Sequence, residues 1–166
     1  MMRRIARLRV PLGFVFGALV LGLAQPTPWS LAAGAAIALV GELVRIWAAG
    51  HLEKGREVTA SGPYRFTRHP LYVGSTIIGL GLAVGAASLV VAIIVLSYLA
   101  VTLIAAMRTE EAHLTEKFGA AYPEYRAGRT SANRAFSLER AMKNREYRAA
   151  IGVLLVLVFL GWKTYY

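Results

Sequence analysis

Residues 71–107 read LYVGSTIIGLGLAVGAASLVVAIIVLSYLAVTLIAAM and contain no formally charged side chain. As a single α-helix this stretch would be about 55 Å long, whereas the hydrocarbon core of a bilayer is about 30 Å thick. The chain must therefore turn back within the stretch, and the small residues 85–88 mark the expected turn. The sequence thus predicts two membrane-spanning helices joined by a short hairpin.

Apolar runs before and after this hairpin predict three further spans, at residues 10–24, 31–50 and 149–162. The basic residues before the first run resemble the start of a signal peptide, but the segment after it fits a cleavage site poorly, so we expect a retained span. The last run is short, and we favour a span over an interfacial segment because Lys163 and two tyrosines follow it as an anchor. We therefore expect an all-α fold, a polytopic transmembrane helical bundle of about five spans.

The composition agrees with a membrane protein. Charged residues make up 17% of the chain, against about a quarter in soluble domains. A net charge of +10 would also suit a nucleic-acid-binding protein, but the apolar runs exclude a soluble domain of that kind. Cysteine is absent, which excludes disulfides, thiolate metal sites and a cysteine nucleophile, and we expect no metal site.

The distribution of charge predicts the orientation of the bundle. With the N-terminus in the cytosol and five spans, 18 of the 19 Lys and Arg residues fall on the cytosolic side, and Lys163 alone lies outside. This arrangement satisfies the positive-inside rule. We expect an integral protein of a bacterial-type inner membrane, whose polar segments 51–70 and 108–126 share the cytosolic face.

Two charged residues lie within the predicted second span. Glu42 and Arg45 are three residues apart and therefore lie on one helix face. Ionisable groups at such depth normally face the protein interior and are paired. They form either an ion pair that fixes helix packing or a contact to a cofactor or lipid head group.

Three polar features share the predicted cytosolic face. They are residues 62–74, the pair Glu110–Glu111, and residues 118–125 with two tyrosines. Each alone has a structural explanation, as basic anchors, a helix start at Pro70, or the solvated end of a helix. Together they place cationic, aromatic and acidic groups beside a glycine-rich helix. Such a cleft suits a ligand that carries charges and a flat ring.

The sequence of these features resembles a known superfamily. Residues 59–74 read TASGPYRFTRHPLYVG, and the glutamate pair is followed by FGAAYPEY at residues 118–125. This two-block pattern resembles the isoprenylcysteine carboxyl methyltransferase and phospholipid methyltransferase superfamily of integral membrane methyltransferases. The resemblance covers about residues 41–126, which we interpret as the catalytic core of a single domain, 1–166; residues 127–166 lie outside it.

The resemblance implies a site for S-adenosylmethionine on the cytosolic side of the bundle. It implies that Tyr64 packs against this cofactor, that Glu110 binds it from the facing helix, and that His51 adds a contact. The remaining cofactor-binding residues implied are Arg56, Glu57, Val58, Thr59, Arg68, His69, Pro70, Leu71 and Tyr72.

The methyl acceptor stays open. Superfamily members that methylate a prenylated cysteine carry an arginine one turn before the glutamate, where this chain has Ala106. Arg108 is the nearest arginine, although it points to a different helix face, and we take it as a catalytic candidate. The acceptor is then an amine, a thiol or another lipid head group. An amine must lose a proton, for which Glu111, His113 or water are candidates, with Glu111 the second catalytic candidate.

The expected activity is methyl transfer to a lipid-like or small hydrophobic acceptor. Two alternatives are a membrane sterol-type reductase that uses a nicotinamide cofactor and a small non-catalytic structural or transport protein. The expected partners are the substrate and membrane lipids, without nucleic acid. The spacing of Gly13 and Gly17 is compatible with a homodimer.

Overall fold

The computed structural model describes residues 17–130 and 132–166, and the regular structure in these ranges is helical, with no strand. Residues 17–23 are helical and a 3-10 turn covers Gly62–Arg65. The prediction of an all-α fold is confirmed. The further helices are α1 (Pro28–Ala49), α2 (Pro70–Gly85), α3 (Leu89–Phe118), α4 (Ala121–Arg126), α5 (Leu138–Lys143) and α6 (Tyr147–Tyr165).

Three of these helices are long and apolar enough to cross a membrane. They are α1 with 22 residues, α3 with 30 and α6 with 19, whereas α2 is apolar but has only 16. Large apolar side chains such as Leu43, Ile93 and Leu155 are exposed on their outer faces, as expected for contact with lipid. The predicted helical membrane bundle is therefore confirmed. The predicted first span, residues 10–24, lies partly outside the described residues, in which residues 17–23 are helical, so the count of five spans and the orientation stay predictions.

Local signals explain where the helices begin. The Thr27 side chain accepts from the Ser30 amide and the Ser30 side chain from the Thr27 amide, so that a capping box starts α1. Pro70 occupies the first turn of α2, where a missing N–H is harmless. Ser88 caps α3 through the Val91 amide, and the turn between α2 and α3 lies where the charge-free stretch predicts it.

Helices α1 and α2 pack with their backbones in close contact. A Cβ atom on Gly34 would lie 2.5 Å from the Gly81 carbonyl oxygen, and one on Gly41 would lie 2.7 Å from that of Gly74. Only glycine permits this approach, which is typical of helix pairs in membranes. The glycine-rich helix α2 thus contacts α1 at Gly74 and Gly81.

Of the two charged residues inside α1, only Arg45 forms an ion pair in the described part of the chain. The guanidinium of Arg45 binds the Glu146 carboxylate at 2.5 Å and also donates to the Ser75 hydroxyl. The Glu42 carboxylate is buried beside it, without a hydrogen-bond partner in the described part of the chain. The expected pairing of Glu42 with Arg45 is therefore wrong. Glu146, 101 residues after Arg45, binds the Arg45 guanidinium instead and joins the start of α6 to α1.

The polar segments gather at one end of the bundle. The C-terminal end of α1, the start of α2, the end of α3 and the start of α6 meet there, joined by contacts such as Arg45 with Glu146 and His69 with Glu111. At the opposite end, the Lys163 ammonium donates to the carbonyl oxygens of Leu21 and Gly22.

Candidate functional site

A cavity of about 450 Å³ opens at the polar end of the bundle. Its walls are the loop after α1, the start of α2, the end of α3 and helix α4. Of the residues implied by the resemblance, it is lined by Glu57, Val58, Thr59, Tyr64, Arg68, His69, Pro70, Leu71, Tyr72 and Glu110. The two sequence blocks, 59–74 and 110–125, therefore face each other across one space.

The His69 side chain lies between two carboxylates. Its Nε2 atom is 3.0 Å from an oxygen of Glu111, and its Nδ1 atom is 3.8 Å from an oxygen of Glu110. Its ring centre lies 5.5 Å from that of Tyr72 on the next turn of α2. These contacts hold the imidazole in one orientation at the cavity wall.

Glu111 lies behind this wall rather than in it. The carboxylate oxygen that faces His69 also accepts from Arg68 at 2.9 Å, and Glu111 is not among the lining residues. Its neighbour Glu110 does line the cavity. The two adjacent glutamates thus differ, because one faces the cavity and the other fixes the side chains of α2 that face it.

The loop after α1 forms the second wall and has no helix or strand of its own between residues 52 and 60. The Thr59 hydroxyl accepts from the Glu53 amide at 3.1 Å, which closes the loop on itself. Glu53 and Glu57 bring carboxylates to this wall, and Lys54 adds a cation.

Buried tyrosines form the floor where α4 meets the loop. The Tyr125 hydroxyl donates to the Tyr64 carbonyl oxygen at 2.7 Å, and both rings pack in a cluster with Tyr122. Burial raises the pKa of Tyr64 well above its ordinary value and that of Tyr125 to about 12. Both side chains therefore stay neutral well above physiological pH and offer aromatic surface rather than charge.

Three residues expected at the site lie elsewhere. The His51 ring is buried against Gly62, with Nδ1 2.9 Å from the Trp47 carbonyl oxygen. The Arg56 side chain is 84% exposed and does not line the cavity. Arg108 is exposed and does not line the cavity, because two residues along an α-helix turn a side chain about 200° from Glu110. None of these three side chains lines the cavity: His51 is packed against Gly62, and the side chains of Arg56 and Arg108 are exposed.

Other lining residues were not expected from the sequence. On α3, Leu114 and Lys117 join His113 and Phe118, which the sequence had singled out. The helical spacing of three or four residues from Glu110 would have predicted this face. Leu52, Glu53, Lys54 and Gly55 line the other wall, and no local pattern marks them.

The lining carries both signs of charge and aromatic surface. Carboxylates of Glu57 and Glu110 accept hydrogen bonds, Lys117 adds a cation, and the tyrosine rings offer π faces. Glu42 and Arg45 are absent from the lining, so neither contacts a ligand held there. In the described part of the chain, no group of three or more His or Glu side chains is arranged to hold a metal ion.

Comparison with known families gives a match to the family described as phospholipid methyltransferase over residues 29–121, more than half of the chain. The predicted membership of this superfamily is thereby confirmed, with residues 59–74 and Glu110–Glu111 inside the matched range. No curated protein and no solved structure matches this chain. The matched range covers α1, α2, α3 and the lining residues up to Phe118, and it ends just before Tyr122.

Proposed function

Because this chain belongs to the phospholipid methyltransferase family, we propose that it transfers a methyl group from S-adenosylmethionine to a lipid-like or small hydrophobic acceptor. The observation that carries the proposal is the meeting of His69 and Glu110 at one cavity. The family and the apolar helices make it an integral membrane protein. The cofactor, the acceptor and the membrane face belong to the proposal.

The residues of the cavity fit the proposed cofactor. The volume of about 450 Å³ lies within the range of small-molecule sites, about 300 to 1,000 Å³. The carboxylates of Glu57 and Glu110 suit the hydroxyl and amino groups of an amino-acid nucleoside, and Tyr64 and Tyr72 suit its flat ring and its cationic sulfur. The start of α2 at Pro70 suits its carboxylate, because helix N-termini attract anions.

When bound, S-adenosylmethionine supplies an activated methyl group, whose bond to sulfur breaks as the bond to the acceptor forms. The protein must then hold two reactants in line and exclude water. The fixed imidazole of His69 and the tyrosine rings supply rigid surfaces for positioning. The apolar side chains Leu71 and Leu114 restrict water at the lining.

An amine acceptor would lose its proton to His113 rather than to Glu111. His113 lines the cavity, whereas Glu111 lies behind the wall and binds Arg68 and His69. We therefore assign Glu111 as a positioning residue. Arg108 receives no catalytic role, since it lies outside the lining. A thiolate or carboxylate acceptor would need no proton acceptor at all.

The proposed site faces the cytosol. It lies at the end of the bundle that carries the basic segments 126–148, which the positive-inside rule places in the cytosol. The cofactor would enter from water and the acceptor from the bilayer beside the apolar parts of α2 and α3. Membrane lipids would surround the outer faces of the bundle. The homodimer expected from the spacing of Gly13 and Gly17 stays a prediction, because Gly13 lies outside the described residues.

Calorimetric titration of the purified full chain with S-adenosylmethionine tests the proposal. We expect binding that weakens about tenfold or more in Tyr72→Ala and Glu110→Gln, because each removes a lining group. Glu116→Gln is the matched control on the same helix, exposed and outside the lining.

Absence of binding by the unaltered protein would overturn the proposal. Heat with a reduced nicotinamide instead would indicate a reductase, and absence of heat with both would indicate a non-catalytic protein. The acceptor is identified by mass spectrometry of host lipids and of small thiols and amines with and without the protein, as a gain of one methyl group.

A further inference from the structure

Residues 132–146 cross the polar end of the bundle and form a strap between α4 and α6. The strap lies beyond the matched family range of 29–121. It contains helix α5 and an extended segment before it. It lies against the loop after α1, which forms one wall of the cavity.

The strap supplies partners for the C-terminal end of α1. The Asn144 side chain donates to the carbonyl oxygens of Ala49 and Leu52, both at 2.9 Å. The Gly50 carbonyl oxygen accepts from the Ser137 amide at 3.1 Å. Carbonyl groups at a helix end lack partners within the helix, so these bonds fix where α1 stops and the loop begins.

The strap also binds the two acids of the cavity wall. One guanidinium, that of Arg134, contacts a Glu53 oxygen at 3.0 Å and a Glu57 oxygen at 2.8 Å. Arg140 binds the same Glu53 oxygen at 2.8 Å. Because the planar guanidinium holds its donors in a fixed fork, it sets the separation of the two carboxylates. These contacts lower the pKa of Glu53, chiefly through the hydrogen bond from Arg140.

These ion pairs matter for placement more than for folding. All the side chains involved are at least 20% exposed, and pairs of this kind contribute little to global stability. The loop that carries Glu53 and Glu57 has no helix or strand to fix its shape. The strap binds this loop at Glu53 and Glu57, while Val58 and Ala60 of the loop pack on the tyrosine cluster.

We propose that Arg134 is a positioning residue, which holds the loop at Glu53 and Glu57 in shape and thereby sets the affinity of the cavity for S-adenosylmethionine. The second half of this statement rests on the proposed function. The affinity of the site then depends on a segment outside the matched family range.

Two measurements on the full chain test separately whether Arg134 orders the loop and whether it sets the affinity for S-adenosylmethionine. Hydrogen exchange of the ligand-free protein reports on the loop at residues 50–60, and calorimetry reports on S-adenosylmethionine affinity. In Arg134→Gln we expect faster exchange confined to this loop and affinity reduced about tenfold, since charge-assisted hydrogen bonds are lost. Arg134→Lys keeps the charge but not the fork, and we expect it to recover part of both losses.

Arg129→Gln is the matched control, because Arg129 is exposed and lies outside both the strap and the cavity lining. A further comparison uses Glu57→Gln, alone and with Arg134→Gln. If Arg134 acts through Glu57, the double variant should bind S-adenosylmethionine about as well as whichever single variant has the lower affinity. Losses of affinity that add would contradict this.

Unchanged exchange at residues 50–60 in Arg134→Gln would overturn the positioning role. Faster exchange throughout all helices, with a lower unfolding temperature and no recovery in Arg134→Lys, would likewise overturn it in favour of a general folding role. If the unaltered protein does not bind S-adenosylmethionine, the proposed function fails, while the exchange data still decide whether the strap orders the loop.

Discussion

The Nε2 atom of His69 lies 3.0 Å from the Glu111 carboxylate, which also accepts from Arg68 at 2.9 Å. This contact joins the first turn of α2 to the end of α3. Because Glu111 lies outside the cavity lining, its effect on a ligand passes through the two residues that it holds. The relationship is therefore open to a direct test.

We expect Glu111→Gln to lower methyl transfer by about tenfold to a hundredfold, since hydrogen bonds to a charged group contribute about 1.5–3 kcal/mol. The measurement is incorporation of labelled methyl from S-adenosylmethionine into a lipid extract of host membranes. Glu116→Gln is the control on the same helix. Equal rates in the two variants would contradict a positioning role for Glu111.

Arg108→Gln should leave the transfer rate within about twofold of the unaltered protein, because exposed side chains away from a site have small effects. The sequence had made Arg108 a catalytic candidate, and the structure turns it away from the lining. The same labelled-methyl assay decides whether Arg108 takes part in catalysis. A loss as large as that of Glu110→Gln would show that Arg108 contacts the substrate.

We expect Gly81→Ala to destabilise the bundle by about 1–3 kcal/mol, a typical cost of overpacking. The added Cβ would lie 2.5 Å from the Ala38 amide nitrogen, a backbone atom that cannot move independently. Gly152→Ala on α6 is the control, since its Cβ would meet nothing within 4 Å. Thermal unfolding in detergent compares the two, and an equal effect would contradict the close packing of α1 and α2.

Stability should fall as the pH rises above about 10. The pKa of Tyr125 is raised to about 12 by burial, whereas an unfolded tyrosine ionises near pH 10. Below pH 10 the contribution of this residue is fully present. Between about pH 10 and 12 the unfolded chain loses a proton that the folded chain keeps, so stability is lost.

Unfolding temperatures measured across this range test the expectation. Tyr125→Phe should flatten the decline, although it also removes the hydrogen bond to the Tyr64 carbonyl oxygen. Tyr165→Phe, at a position 74% exposed, is the control. The same decline in both variants would rule out Tyr125 as its source.

The sequence predicted the features that depend on local pattern. The hairpin between α2 and α3 followed from a charge-free stretch too long for one span, and the start of α2 followed from Pro70. The meeting of residues 59–74 with Glu110 followed from the resemblance to a family. Each of these features depends on residues that are close together in the sequence or on a short motif.

Contacts between distant segments could not be predicted in this way. Arg45 is three residues from Glu42 but pairs with Glu146, because tertiary packing decides which carboxylate lies nearest. Arg134 reaches two acids near residue 55 across the intervening helices. The position of His51 depends on packing in the same way, since its ring lies against Gly62 and the Trp47 carbonyl oxygen and does not line the cavity.

Helix α3 runs unbroken for 30 residues, a length of about 45 Å, which exceeds a hydrocarbon thickness of about 30 Å. In the proposed membrane arrangement, its apolar first part lies in the bilayer and its last turns extend beyond the lipid tails. The distance of Glu110 and Lys117 from the start of the helix is therefore set by the number of residues that separate them from Leu89. Inserting one residue into the apolar part would raise both by about 1.5 Å and rotate them by about 100°. The length of this one helix thus sets the distance of Glu110 and Lys117 from its apolar first part.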